Sequence, residues 1–64
     1  MTRRKLVRWQ RWSNRCRRSV KRSTWQVVQL YGLEHEVCYT ARLFHRHDRS
    51  VTQSVCDALW DWDL

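Results

Sequence analysis

The sequence predicts a small α+β domain in the order α-β-β-α: a long basic helix, a β-hairpin and a C-terminal amphipathic helix. Three observations favour this fold. Arginines recur every three or four residues near the N-terminus, apolar and polar residues alternate in the middle, and apolar residues recur every three or four residues near the C-terminus. With 64 residues, the chain is expected to form one domain over 1–64, in which 1–24 is the basic helix and 25–64 holds the hairpin and the last helix.

The first helix is predicted from about Arg3 to Arg22, ending near Ser23 and Thr24. Residues 1–24 contain ten Lys or Arg and no acid. At 100° per residue, six of the arginines fall within a sector of about 80°. These six are Arg4, Arg8, Arg11, Arg15, Arg18 and Arg22. The residues of a separate apolar sector, predicted to face the core, are Leu6, Trp9, Trp12, Cys16 and Val20.

The middle of the chain is predicted to form the β-hairpin. The stretch from Trp25 to Tyr31 is rich in aromatic and β-branched residues and stops before Gly32, the only glycine, which suits a turn. From Glu36 to Leu43, apolar and polar residues alternate as on a strand with one buried face. The apolar positions of this second strand are Val37, Tyr39, Ala41 and Leu43.

The last element is predicted to be an amphipathic helix. Ser50 and Gln53 form a plausible capping box at its start. One apolar stripe follows, made of Val51, Val55, Leu59 and Trp62. Three aspartates near its C-terminal end oppose the helix dipole, and we expect the N-terminal arginines to neutralise them. They are Asp57, Asp61 and Asp63.

An all-helical fold is the alternative, because several apolar residues of the middle segment also match a helical stripe. They are Leu33, Val37, Ala41 and Phe44. In that case, Thr24 to Leu43 is similar to the helix-turn-helix pattern of DNA-binding proteins, with Gly32 at the turn. Glu34 and Glu36 would then open the recognition helix and face a phosphate-lined groove, which favours α-β-β-α.

The charge distribution points to an anionic partner. The formal net charge is +7, of which 1–24 contributes +10 and 25–64 contributes −3. Arginine suits phosphate because its planar guanidinium can donate two hydrogen bonds to one group, and helical arginine-rich segments resemble those that enter the major groove of structured RNA or lie along duplex backbones. We therefore expect a small, non-catalytic protein that binds RNA or DNA through the six arginines named above. By analogy with proteins of phages and mobile elements, its role would be regulatory or accessory.

Other readings of the basic segment remain open. The helix could dock on an acidic protein partner, as a small inhibitor or interaction module does. Its composition also fits a mitochondrial presequence, and its tryptophans and arginines resemble cationic antimicrobial peptides. The sequence contains no stretch of about 20 apolar residues, the length that a membrane-spanning helix needs.

The cysteines and histidines suggest further chemistry. Three cysteines cannot all pair within one chain, and no secretory signal is evident, so we expect a reducing, cytoplasmic location and consider homo-oligomers possible. A zinc site would need the ligands Cys38, His45, His47 and Cys56. Their spacing does not match the common zinc fingers, so we predict neither metal nor cofactor.

Catalysis is not expected from a chain this short. Cys38 with His35 or His45 could form a nucleophile and base, but no motif surrounds the cysteine and a small domain has little room for a substrate pocket. The catalytic residues of a minimal nuclease would come from a polar cluster before the last helix. An ordinary polar loop explains the same residues. The cluster comprises His45, His47, Asp48 and Arg49.

Overall fold

The structure, a computed structural model, describes residues 2–46 and 48–64. Within these ranges the chain forms four α-helices and no β-strand. The helices are α1 (Arg3–Arg18), α2 (Arg22–Leu30), α3 (Glu34–His45) and α4 (Val51–Asp61). The prediction of an α+β fold with a β-hairpin is therefore wrong, whereas the all-α alternative is consistent with the structure.

The predicted second strand lies within α3, and burial shows why the helical period prevails. A strand would place Val37, Tyr39, Ala41 and Leu43 on one buried face. Val37 and Ala41 are fully buried, whereas Tyr39 is 55% exposed and Leu43 is 42% exposed. This split is the one expected of a helix, in which residues four apart share a side and residues two apart do not.

The predicted first strand forms α2, in which Trp25 and Val28 are buried three residues apart. Gly32 makes the turn, as predicted, but it joins two helices rather than two strands. It adopts a left-handed conformation with φ +65°. Its N–H donates to the carbonyl oxygen of Gln29 and that of Leu33 donates to the carbonyl of Val28, both at 3.0 Å. This pair of hydrogen bonds is the Schellman motif that ends many helices.

The first helix is shorter than predicted. α1 ends at Arg18, and the hydroxyl of Ser19 donates to the carbonyl of Cys16 at 2.7 Å. Arg22 instead begins α2, so it does not continue the arginine sector of α1. In the apolar sector, Trp12 and Cys16 are buried and Trp9 and Val20 are partly buried. The prediction that Leu6 joins this core is wrong, because its side chain is 56% exposed.

The last helix matches its sequence signals only in part. Trp62, predicted to end the buried stripe, follows the helix and is 40% exposed, and the Gln53 side chain donates to Asp57 instead of completing the capping box. The Ser50 hydroxyl accepts a hydrogen bond from the backbone N–H of Gln53 at 3.1 Å, and Val55 and Leu59 are buried. The expected partner of Asp57 was an N-terminal arginine, but the ion pair is made by Arg49 at 2.9 Å. Arg49 lies in the connection before α4, only eight residues away. The acids of α4 thus leave the arginines of α1 free for other partners.

The core lies where α3 packs along α4, and α1 and α2 cover its remaining sides. The indole Nε1 of Trp12 donates to the carbonyl oxygen of Cys38 at 2.8 Å and so joins α1 to α3. Among residues 2–46 and 48–64, no helix combines the length and apolar character needed to cross a membrane. The fully or nearly buried apolar residues are Trp12, Cys16, Trp25, Val28, Val37, Cys38, Ala41, Val55, Ala58 and Leu59.

The three cysteines should differ sharply in reactivity. Cys16 and Cys38 are fully buried thiols, and Cys56 is exposed. The pKa of the Cys16 thiol is raised by its hydrogen bond with Cys38 and by burial, so it stays protonated and unreactive at neutral pH. We expect a thiol reagent to modify Cys56 alone in the native protein and all three cysteines in denaturant. Mass spectrometry of the labelled protein checks this, and rapid native labelling of Cys16 or Cys38 would contradict the buried placement.

Candidate nucleic-acid interface

An open groove of about 380 Å³ lies between α1 and the C-terminal half of α3. Helical spacing explains why its arginines gather there. On each helix they recur three or four residues apart, so that they project from one side. The lining residues from α1 are Arg8, Arg11, Trp12 and Arg15, and those on the other side are Arg42 and His45 of α3 and Arg46, the residue that caps its C-terminus.

Trp12 sets the position of the two arginine rows relative to each other. Its side chain is only 7% exposed, and its N–H is bonded to the Cys38 backbone of α3. The Arg15 guanidinium carbon lies 5.6 Å from the centroid of the Trp12 ring, in cation–π contact. A buried anchor thus holds α1 against α3 while the guanidiniums on both sides remain exposed.

His45 occupies the same groove and is held by its neighbours. Its ring centroid lies 5.2 Å from that of Trp12, and its Nδ1 lies 2.7 Å from the carbonyl oxygen of Arg49. A carbonyl oxygen can only accept, so Nδ1 carries the hydrogen in this contact. The imidazole is therefore fixed in orientation by the backbone that leads into α4.

Within residues 2–46 and 48–64, no acid forms an ion pair with a groove arginine. Across the described ranges, the ion pair between Arg49 and Asp57 is the only one. Consequently none of the five groove guanidiniums has a carboxylate oxygen within 4.0 Å. Five like charges in one groove repel one another, and a bound polyanion relieves that repulsion. Electrostatics therefore favours an anionic ligand here.

The six arginines predicted to share one surface lie on different surfaces in the structure. Arg8, Arg11 and Arg15 line the groove. Arg4 lies beside it, in a shallow depression of about 330 Å³ on the surface of α1. Arg18, the last residue of α1, and Arg22, the first of α2, line neither surface.

Two groove arginines, Arg42 and Arg46, were missed from the sequence. Their spacing of four residues was the available signal, but it has meaning only if the segment is a helix, and the hairpin reading hid it. A further depression of about 280 Å³ is lined by Lys5, Arg8, Trp9 and Arg42, and it continues the basic surface toward the start of α1. The basic surface is therefore built by two helices rather than one.

The helix-turn-helix resemblance extends to the order of elements only. α2 and α3 are joined by three residues that include Gly32. A recognition helix reads bases with its N-terminal residues. Here that end of α3 carries Glu34 and Glu36, which favour the helix dipole but repel phosphate, while Arg42 lies near the C-terminal end of the helix and Arg46 caps it. The positive charge thus lies on the groove side of α3, and the negative charge lies at its N-terminus.

The residues considered for metal binding or catalysis are dispersed or engaged. The Cys38 thiol is buried and donates to the Ser13 hydroxyl at 3.6 Å, whereas Cys56 is exposed on α4. His35 lies against Trp9, with ring centroids 4.7 Å apart. His47 lies outside the described residues. Among the others, no group of three or more His, Cys, Asp or Glu is placed to hold a metal ion.

Several residues of the cluster considered for a nuclease make contacts within the loop before α4. His45 contacts the Arg49 backbone, the Arg49 side chain pairs with Asp57, and Asp48 adopts a left-handed conformation with φ +62°. These contacts hold the connection between α3 and α4 in place.

Comparison of the chain with protein-family models, curated proteins and solved structures found no significant match.

Proposed function

We propose that this protein binds nucleic acid through phosphate contacts in the groove between α1 and α3, as a regulatory or accessory factor rather than an enzyme. The observation that carries the proposal is the set of five guanidiniums that line one open groove and that pair with no carboxylate among the residues the structure describes. Guanidiniums donate paired, directed hydrogen bonds that match phosphate oxygens.

The composition of the groove also supports phosphate contact over base reading. Its lining holds arginines, one histidine and one buried tryptophan. Arginine can read guanine edges, but only from an element that enters the major groove of the nucleic acid, whereas these arginines line an open groove of the protein. Phosphate contacts position a protein on nucleic acid without conferring sequence preference. We therefore expect binding that depends strongly on salt and weakly on sequence.

The decisive experiment compares Arg11→Ala with Arg17→Ala. Both arginines are exposed residues of α1, but only Arg11 lines the groove. Binding of labelled nucleic acid is measured by fluorescence anisotropy between about 50 and 200 mM salt, where each phosphate contact contributes about 0.9 to the slope of log K against log salt. We expect Arg11→Ala to lower this slope by about 1 and Arg17→Ala to leave it unchanged.

Alanine substitution of the individual groove arginines also distinguishes nucleic acid from the alternative partner, an acidic protein. A protein interface concentrates its binding energy in one or two side chains, whereas phosphate contacts share it among the arginines. Heparin serves as a generic polyanion. Equal binding to heparin and nucleic acid, or equal effects of the two variants, would count against the proposed site.

A further inference from the structure

The tryptophans of the groove and of the basic depression that adjoins it are already engaged with other groups. Trp12 is 7% exposed, its N–H is bonded to the Cys38 carbonyl, and the Arg15 guanidinium and the His45 ring lie against it. Trp9 is partly buried and lies against His35. A base could stack on either indole only by displacing these contacts.

The aromatic residues that do expose their rings lie elsewhere. Tyr31, Tyr39 and Trp60 are well exposed, with Trp60 at 87%, but none lines the groove or the two adjoining basic depressions. Proteins that bind single strands without sequence preference combine a basic groove with aromatic platforms for successive bases. This groove has the positive charge, but it has no free aromatic ring on which a base could stack.

What the groove offers instead is cations on two sides. Arg8, Arg11 and Arg15 lie along α1, and Arg42 of α3 and its C-cap residue Arg46 lie on the opposite side. A sugar–phosphate backbone lying between the helices would meet guanidiniums from both. In a duplex the bases are paired and stacked within the helix, so the protein loses nothing by having no stacking surface.

From this arrangement, and resting on the proposed function, we infer that the ligand of the groove is the backbone of a double-stranded nucleic acid and not a single strand. Charge density adds to the preference. Each contact contributes about 0.9 to the salt slope on a duplex and about 0.7 on a single strand. Five contacts give slopes that differ by about 1. The duplex therefore gains about 10-fold over the single strand as salt falls from about 1 M, where the two are taken to bind equally, to about 0.1 M.

The test uses the intact protein with three labelled ligands: a duplex, one of its single strands, and a single strand twice as long, which carries as many phosphates as the duplex. Anisotropy gives the affinities at about 50 and 200 mM salt. Tryptophan emission is recorded alongside, because base stacking on Trp9 or Trp12 would quench it. We expect the duplex to bind about 10-fold more tightly than the phosphate-matched single strand at about 0.1 M salt, with little quenching by either.

Two results would overturn the inference in different ways. Equal or tighter binding of the phosphate-matched single strand, with quenched tryptophan emission, would show that stacking operates and would leave the proposed nucleic-acid function intact. Failure of all three ligands to bind would reject the proposed function itself and the duplex preference with it.

Discussion

Replacing Arg11, Arg42 and Arg46 together with alanine is expected to weaken duplex binding by about 150- to 2,000-fold at low salt. An exposed charged pair contributes up to about 1 kcal/mol, and a charge-assisted hydrogen bond about 1.5 kcal/mol or more, so three such contacts give roughly 3 to 4.5 kcal/mol. The three side chains are exposed and line the groove from both of its sides. The variant should therefore fold normally, which circular dichroism and thermal unfolding will establish before binding is measured.

The matched control replaces three cations outside the groove, Arg17, Lys21 and Arg22. These residues are also exposed, and their removal changes the net charge by the same three units. Long-range attraction falls equally in the two triple variants, so the difference between them isolates contacts in the groove. We expect the control to lose less than about 10-fold. Equal losses would mean that net charge alone drives binding and that the groove is not the site.

This comparison also separates two placements of the interface. A single helix from Arg3 to Arg22 would include Arg22 among the contacts and leave out Arg42 and Arg46. The two-helix groove does the reverse, because α1 ends at Arg18 and α3 brings its own arginines alongside. The triple variants therefore test which surface binds as well as whether charge matters.

The sequence predicted the elements whose signals are local. The arginine sector of α1 and the Ser50 N-cap of α4 depend on residues three or four apart, and the contacts within each helix decide them. Gly32 was likewise identified as a turn, because a left-handed residue favours glycine whatever the elements on either side.

The middle of the chain could not be decided locally. From Val37 to Leu43 the residues fit a two-residue period and, with Phe44, a helical one as well. Which period is realised depends on what covers each face, and here α4 and Trp12 of α1 cover Val37, Cys38 and Ala41. Packing against residues distant in the sequence therefore favours the helix over the strand. Arg42 and Arg46 reach the groove only when this segment is helical. The incorrect strand prediction therefore also left these two arginines out of the predicted site.

The largest expected effect on stability comes from Trp12→Ala. Removing a buried aromatic side chain costs about 3 to 5 kcal/mol, and a domain of this length is expected to have only about 3 to 10 kcal/mol in total. The substitution also removes the hydrogen bond from the indole to the Cys38 carbonyl that joins α1 to α3. We expect the variant to be largely unfolded at room temperature, as measured by circular dichroism and urea titration.

Trp60→Ala is the matched control, because the same side chain is removed from a site where it is 87% exposed. A substitution at such a surface position changes the free energy of unfolding by about 0.5 kcal/mol or less. Trp12→Phe gives a milder test at the core site, since it keeps an aromatic ring but loses the N–H, and we expect a cost of about 1 to 2 kcal/mol. If Trp12→Phe folds but binds nucleic acid more weakly than the parent protein, the indole contributes by holding the two arginine rows in register. If Trp60→Ala instead destabilises as much as Trp12→Ala, the packing of α1 on α3 described above is wrong.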